Sequence, residues 1–214
     1  MSWGTPATAV VGDPITAAFW NTNGRDNLLE TAPAKVTTAG DIVYATGASA
    51  LARLGIGGVG RVLGGGASAP AWTLFESCGL SNSGDQSINS GARTAVTWDT
   101  EEWDNAGLHS TSSNTSRVTV PTAGIYLCTA MILWATNNTT GERYIEIDVN
   151  AGGINRTHFP PVNATTNHAM VLSKQMKLVA NDYVEVIVLQ SSGGAVNVRG
   201  PDSMFQVTRI GVAT

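Results

Sequence analysis

The clearest pattern in this 214-residue chain is an alternation of apolar and polar positions with a period of two, confined to residues 72–214. Arg143 to Val149 is the cleanest case: Ile145, Ile147 and Val149 share one face, and Tyr144, Glu146 and Asp148 share the other. That predicts a strand with one face in a core and one in water. Ile125 to Trp134 departs from this rule. Ile125, Leu127, Met131 and Leu133 fall on one face, and Tyr126, Cys128, Ala130, Ile132 and Trp134 on the other, so both faces are apolar. Tyr183 to Leu189 behaves the same way apart from Glu185. A sandwich strand has one core-facing side, so the second apolar face needs a cover, and another subunit is the expected one. Assigning the Ile125–Leu133 row to the core leaves Tyr126, Cys128, Ile132 and Trp134 as the predicted subunit-interface residues.

Further strands are predicted at Trp72–Cys78, Thr94–Trp98, Arg117–Val120, His168–Leu178, Ala195–Val198 and Met204–Val212. Turn signals separate them, among them Asn82-Ser83-Gly84, Pro121 to Gly124, Asn137 to Gly141, Gly152-Gly153, Asn181-Asp182 and Gly200-Pro201. Short strands at this spacing with no helical pattern between them predict a β-sandwich over 72–214.

The first third reads differently. Residues 1–34 hold one plausible helix, with Asp13-Pro14 as its cap and first residue and with Ile15, Ala18 and Phe19 on one face. Gly24 is expected to interrupt it, a second turn to run from Asp26 to Glu30, and Pro33 to stop it. One or two such turns cannot form a core alone, so Ile15, Phe19, Trp20 and Leu28 are predicted to anchor the chain on a partner. Residues 35–71 are rich in Gly and Ala, with single apolar residues too sparse for a core, and are expected to form an extended arm. Gly55 to Gly60 matches G-x-G-x-x-G, but no strand leads in, no helix follows and no acid lies about 20 residues on, so a dinucleotide site is rejected.

Composition removes whole classes of function. The net charge is −4 with only 12 Lys and Arg, against recognition of nucleic acid by a basic surface. No apolar run is long enough to cross a membrane as a helix. The N-terminus lacks the charged and apolar regions of a signal peptide, so no export signal is expected. Cys78 and Cys128 read as small buried residues, with a bridge between them left open. His109, His158 and His168 have no metal-ligand spacing, and none of the three is expected to bind a metal. The acids Asp99, Glu101, Glu102 and Asp104 read as a solvated loop rather than a Ca²⁺ site. No pair of carboxylates, nucleophile elbow or triad is recognisable, so neither an enzyme nor a cofactor is expected. Asn-x-Ser/Thr sites at Asn114, Asn137, Asn138, Asn155 and Asn163 read as polar surface loops. Trp98, Trp103 and Trp134 could in principle make a sugar-stacking platform, with Trp103 the best candidate for exposure.

Two resemblances add to this reading. Arg117 to Tyr126 (RVTVPTAGIY) resembles the v-P-x-x-G-x-Y signature of the jelly-roll superfamily of the complement globular head and tumour necrosis factor. Leu178 to Val186 (LVANDYVEV) resembles its L-x-x-G-D-x-V-x-V segment, with Asn181 where Gly is usual, and Ser203 to Gly211 is similar to its last strand. This implies a mainly β fold: a C-terminal antiparallel jelly-roll sandwich that forms trimers, preceded by a short helix and a Gly-rich arm. Ile15 to Leu28 (ITAAFWNTNGRDNL) and Thr38 to Gly57 (TAGDIVYATGASALARLGIG) resemble the start and arm of tailed-bacteriophage structural proteins.

Together these imply a non-enzymatic virion protein, made in the host cytoplasm. It is expected to be a homotrimeric fibre or spike bound to other phage structural proteins through residues 1–70, most naturally on the tail. Capsid decoration and dedicated receptor binding are the alternatives, with a host cell-surface glycan as the candidate ligand of the head.

Overall fold

The structure, a computed structural model, describes residues 11–12, 14, 16–29, 31–48, 50–65, 68–152 and 155–212. The chain divides into two compact units, Met1–Leu74 and Phe75–Thr214.

In the first unit, α1 (Ala17–Trp20) passes through a π-helical turn (Asn21–Arg25) into α2 (Asp26–Leu29), and α3 (Ala32–Lys35) follows. The cap is Thr16, whose Oγ1 accepts a 3.1 Å bond from the Phe19 N–H, rather than the expected Asp13, which lies outside the described residues. Gly24 does not break the helix: it lies in the π turn against the Trp20 ring, where a side chain would crowd the indole. Pro33 does not stop it either. It falls in the first turn of α3, where no backbone N–H is needed.

The expected extended arm is folded into two hairpins, β1 (Ile42–Gly47) with β2 (Ala50–Leu54) and β3 (Arg61–Gly65) with β4 (Pro70–Leu74). The glycines of Gly55–Gly60 have a local purpose. The Trp72 ring covers Gly57 so closely that a Cβ there would collide with it, and the indole N–H bonds Gly55 O at 2.6 Å. The predicted strand Trp72–Cys78 is therefore split. Its first residues close this hairpin, and the head begins at β5 (Ser77–Ser81).

The head continues with β6 (Gln86–Ile88), β7 (Thr94–Ala95), β8 (Thr100–Asp104), β9 (Arg117–Thr119), β10 (Gly124–Trp134), β11 (Asn137–Val149), β12 (Asn155–Ala164), β13 (His168–Leu178), β14 (Tyr183–Gln190), β15 (Val196–Val198) and β16 (Met204–Gly211). One sheet runs β8-β5-β16-β10-β13, with β15 and β6 joined at the Trp134 end of β10. The other runs β12-β11-β14, with β7 and β9 on the far edge of β14. Every pairing between these strands is antiparallel, and the chain crosses repeatedly between the sheets. That alternation is a jelly roll.

The core lies between the sheets, and β10 settles which of its rows belongs there. Tyr126, Cys128, Ala130, Ile132 and Trp134 are fully buried within the chain and pack with Ile145, Ile147, Val184, Val186, Val188, Phe205 and Val207. The predicted interface residues Tyr126, Cys128, Ile132 and Trp134 are thus core residues, and the row assigned to the core faces outward. The physical reason is Thr129. It sits in the odd-numbered row, where its hydroxyl meets Ser173 Oγ at 2.9 Å on the outer surface. An inward odd row would have buried that hydroxyl.

The register is fixed at the strand's start. The Tyr126 hydroxyl lies within hydrogen-bond reach of two acceptors, Thr122 O at 2.7 Å and the buried Glu76 carboxylate, and shares its one proton between them. Gly124 is needed because Arg209 and Gly211 O pass where its Cβ would be. Asn181, at φ +71°, occupies the left-handed turn for which the family pattern uses Gly.

Two further expectations change. Tyr144, Glu146 and Asp148 are not in water. All three residues are buried, and Arg93 lies across the two acids, its Nη2 bonding Glu146 at 2.8 Å and Asp148 at 3.0 Å. Cys78 and Cys128 are free thiols, both opposite Val207 from its two flanking strands, two strand spacings apart and unable to bridge.

Candidate assembly face

The outward side of the β8-β5-β16-β10-β13 sheet presents a set of apolar side chains. From β10 come Ile125, Leu127, Met131 and Leu133; β13 adds Val171, which is 57% exposed, and β16 adds Met204 and Ile210. Register brings these together: Met131 lies opposite Val171 on one side and Met204 on the other. Thr129, Ser173 and Gln206 cross the middle as a polar belt, with Ile125 and Ile210 beyond it.

At the β5–β8 edge the face deepens into a groove of about 740 Å³, with Trp103, Met131, Leu133 and Met204 among its walls and Glu102 and Asp202 at its rim. Trp103 is 44% exposed. Its ring lies on Gly79 so closely that any side chain there would displace it, and its indole N–H bonds Ser77 Oγ at 3.0 Å. Ser77 Oγ in turn meets Thr208 Oγ1 at 3.0 Å, so Trp103 is oriented by a chain of hydroxyls across three strands. The other two tryptophans of the expected platform are in the core, where Trp98 stacks on Phe205 at 6.1 Å and Trp134 is enclosed. A three-tryptophan platform does not exist.

The acids 99–104 are not a loop, since Thr100–Asp104 is edge strand β8. Each carboxylate has its own local partner. Asp99 accepts from the Ser83 N–H and hydroxyl and from Thr100, which holds its carboxyl below the usual range. Glu102 accepts from Ser81 Oγ at 2.6 Å, and Asp104 from the N–H groups of Ala106 and His109. His109 is not a surface histidine: its ring is buried between Glu101, at 3.0 Å, and Thr115 O, at 3.1 Å. Among the described residues no group of three or more His, Cys, Asp or Glu is placed to hold a metal.

Of the predicted anchor residues, Ile15 lies outside the described residues. Phe19 is half-buried, whereas Trp20, at 58% exposed, and Leu28 stand out from the helices together with Leu29. The signal that sequence reasoning missed on the head is Thr129, which marks the outward row of β10 and with it the whole face.

No protein-family model matches the chain, and no curated protein matches it. Among solved structures, the head is similar to the Eiger TNF of S. frugiperda, with 19% identity and a TM-score of 0.45 over 65% of this chain and 95% of that one. It is similar to the globular domain of the zebrafish complement 1qA protein, with 10% identity and a TM-score of 0.48 over 64% and 99% of the two chains. Murine APRIL gives 15% identity and 0.48 over 64% and 99%.

Proposed function

We propose that this chain is a non-enzymatic structural protein of a phage virion, a homotrimeric fibre or spike in which residues 1–74 bind other virion proteins and the jelly-roll head is displayed. The observation that carries the trimer is the outward face of the β8-β5-β16-β10-β13 sheet. Met131, Leu133, Val171 and Met204 form an apolar surface across three strands, with a groove beside it, and burial between copies removes that apolar area from water. Placement in a virion rests on the resemblance of Ile15–Leu28 and Thr38–Gly57 to phage structural proteins, and the exposed Trp20, Leu28 and Leu29 support an anchoring role for that unit.

The test is the mass of the full chain by light scattering at micromolar concentration, expected at three times 22.2 kDa. Met131→Glu combined with Val171→Glu places like charges at the centre of the face without touching the core. The expected result is a β-rich monomer, because uncompensated charges buried at an interface oppose association. A parent protein that is monomeric, or a double variant that stays trimeric, removes this face from the assembly. Labelling of the protein on intact particles then distinguishes tail from capsid.

A further inference from the structure

Arg143 is a cation in the wrong place for an unpaired charge. It sits on the inward face of β11 at 1% exposure, with its guanidinium carbon 5.5 Å from the centre of the Trp134 ring. Its Nη1 donates to Glu142 O at 2.9 Å, but its Nη2 is buried and has no hydrogen-bond partner. The indole N–H of Trp134, also fully buried, has none either. Two orphaned donors, one of them charged, thus belong to neighbouring side chains at one end of the sandwich.

The side chains nearest to it in the register and along β11 are engaged elsewhere or face away. Gln190, opposite Arg143 in the register, uses its amide N–H groups on Ile88 O and Gly194 O and its oxygen on the Ser192 N–H and hydroxyl. Glu146 and Asp148 lie on the other face of β11 and are held by Arg93. Glu142 is at the surface, 3.6 Å from His158. Among the described residues no carboxylate pairs with Arg143, and a buried charge without a counter-charge is heavily penalised. Burial accordingly holds the Arg143 pKa below its ordinary value.

We propose that Arg143 Nη2 and the Trp134 indole N–H bind a small monovalent anion, a halide, inside the head. Both donors are buried inside the sandwich, and a site so enclosed takes a single small ion rather than an organic acid. The ion completes two hydrogen bonds and neutralises the only charge on the core side of β11. Its binding stabilises the native head, because the unfolded chain offers no such site.

The test uses the full chain, prepared in a methanesulfonate buffer and shifted to bromide at constant ionic strength. At about ten times Kd, bromide should raise the unfolding midpoint by about 3–6 °C. Arg143→Met keeps the side-chain stem against Trp134 and removes the charge, and its midpoint should not respond. Crystals of the parent grown in bromide should show an anomalous peak within hydrogen-bond reach of Arg143 Nη2, an observation that stands even if the variant fails to fold. A parent indifferent to bromide, a shift equally large in Arg143→Met, or a site holding water in bromide-grown crystals overturns the proposal.

Discussion

Trp134 shows how much a single residue's placement decides. It closes one end of the core, fully buried between β10 and the inward face of β11, and it lies opposite Val198 on β15. Truncation to Ala removes a large buried surface and leaves a cavity that rigid sheets cannot collapse, at a cost of about 3–5 kcal/mol. Against a total stability of about 5–15 kcal/mol, that is enough to unfold much of the population. Trp134→Ala is therefore expected to lose the β-sheet circular dichroism spectrum or to unfold at a much lower temperature, at any protein concentration. Folded monomers from this variant would instead mean that Trp134 acts between subunits. The thiols tell the same story on a smaller scale. Cys78 and Cys128 serve as small apolar fillers on either side of Val207, and burial pushes the Cys128 thiol up to about 12.

At the scale of the element, β11 is the strand whose outward row has been put to unusual use. Asp148 and Glu146 project from the same face, two residues apart, and share the single guanidinium of Arg93. Burial, then repulsion from Glu146, raises the Asp148 carboxyl above its ordinary value. A raised folded-state pKa means that the native state binds this proton more tightly than the unfolded chain does, so this group's contribution to stability falls as pH rises through its folded-state pKa. Asp148→Asn removes that liability while keeping the shape. The variant is expected to be more stable than the parent near neutral pH, with the gap closing as pH falls through the raised pKa of the parent's own carboxyl. Unfolding midpoints of both proteins across that range check it, and a gap that widens with acid would contradict it.

The same strands show what the sequence makes legible. Alternation located the second half of β11, because a half-buried strand writes its geometry at a period of two, and apolar runs bounded by turn residues located β10, β13, β14 and β16, whereas the turn read at Asn137–Gly141 is the first part of β11. Neither pattern said which of two apolar rows on β10 is inward. That choice hangs on Thr129 and on the Tyr126 hydroxyl finding Thr122 O and Glu76, a long-range partner that local pattern does not reveal. β12 escaped because Pro160 and Pro161 argue against a strand, and they are tolerated only because β12 is an edge. β8 escaped because its acids resemble a loop, whereas a charged edge is how sheets protect themselves from further pairing. The outward row of β11 looked solvated because the cover, Arg93, lies 53 residues away from Glu146 in the chain.

At the scale of the whole molecule, the two units divide the work that the proposed function requires. Every described residue of the head's core cluster lies between Cys78 and Val207, so no described residue of the first unit contributes to it. The helices of that unit expose Trp20, Leu28 and Leu29, and segments of this length gain little stability from their own backbone hydrogen bonds. Apolar side chains presented on such short helices are stabilised chiefly by what they dock against. Deleting residues 1–34 is accordingly expected to leave the head's circular dichroism spectrum, unfolding midpoint and oligomeric mass unchanged while abolishing incorporation into particles. The two readouts separate the possibilities cleanly. A head that loses its fold or its mass on truncation would show that the helices support the head itself, and a truncated protein that still copurifies with particles would move the anchor to the hairpins of residues 42–74 or to the head.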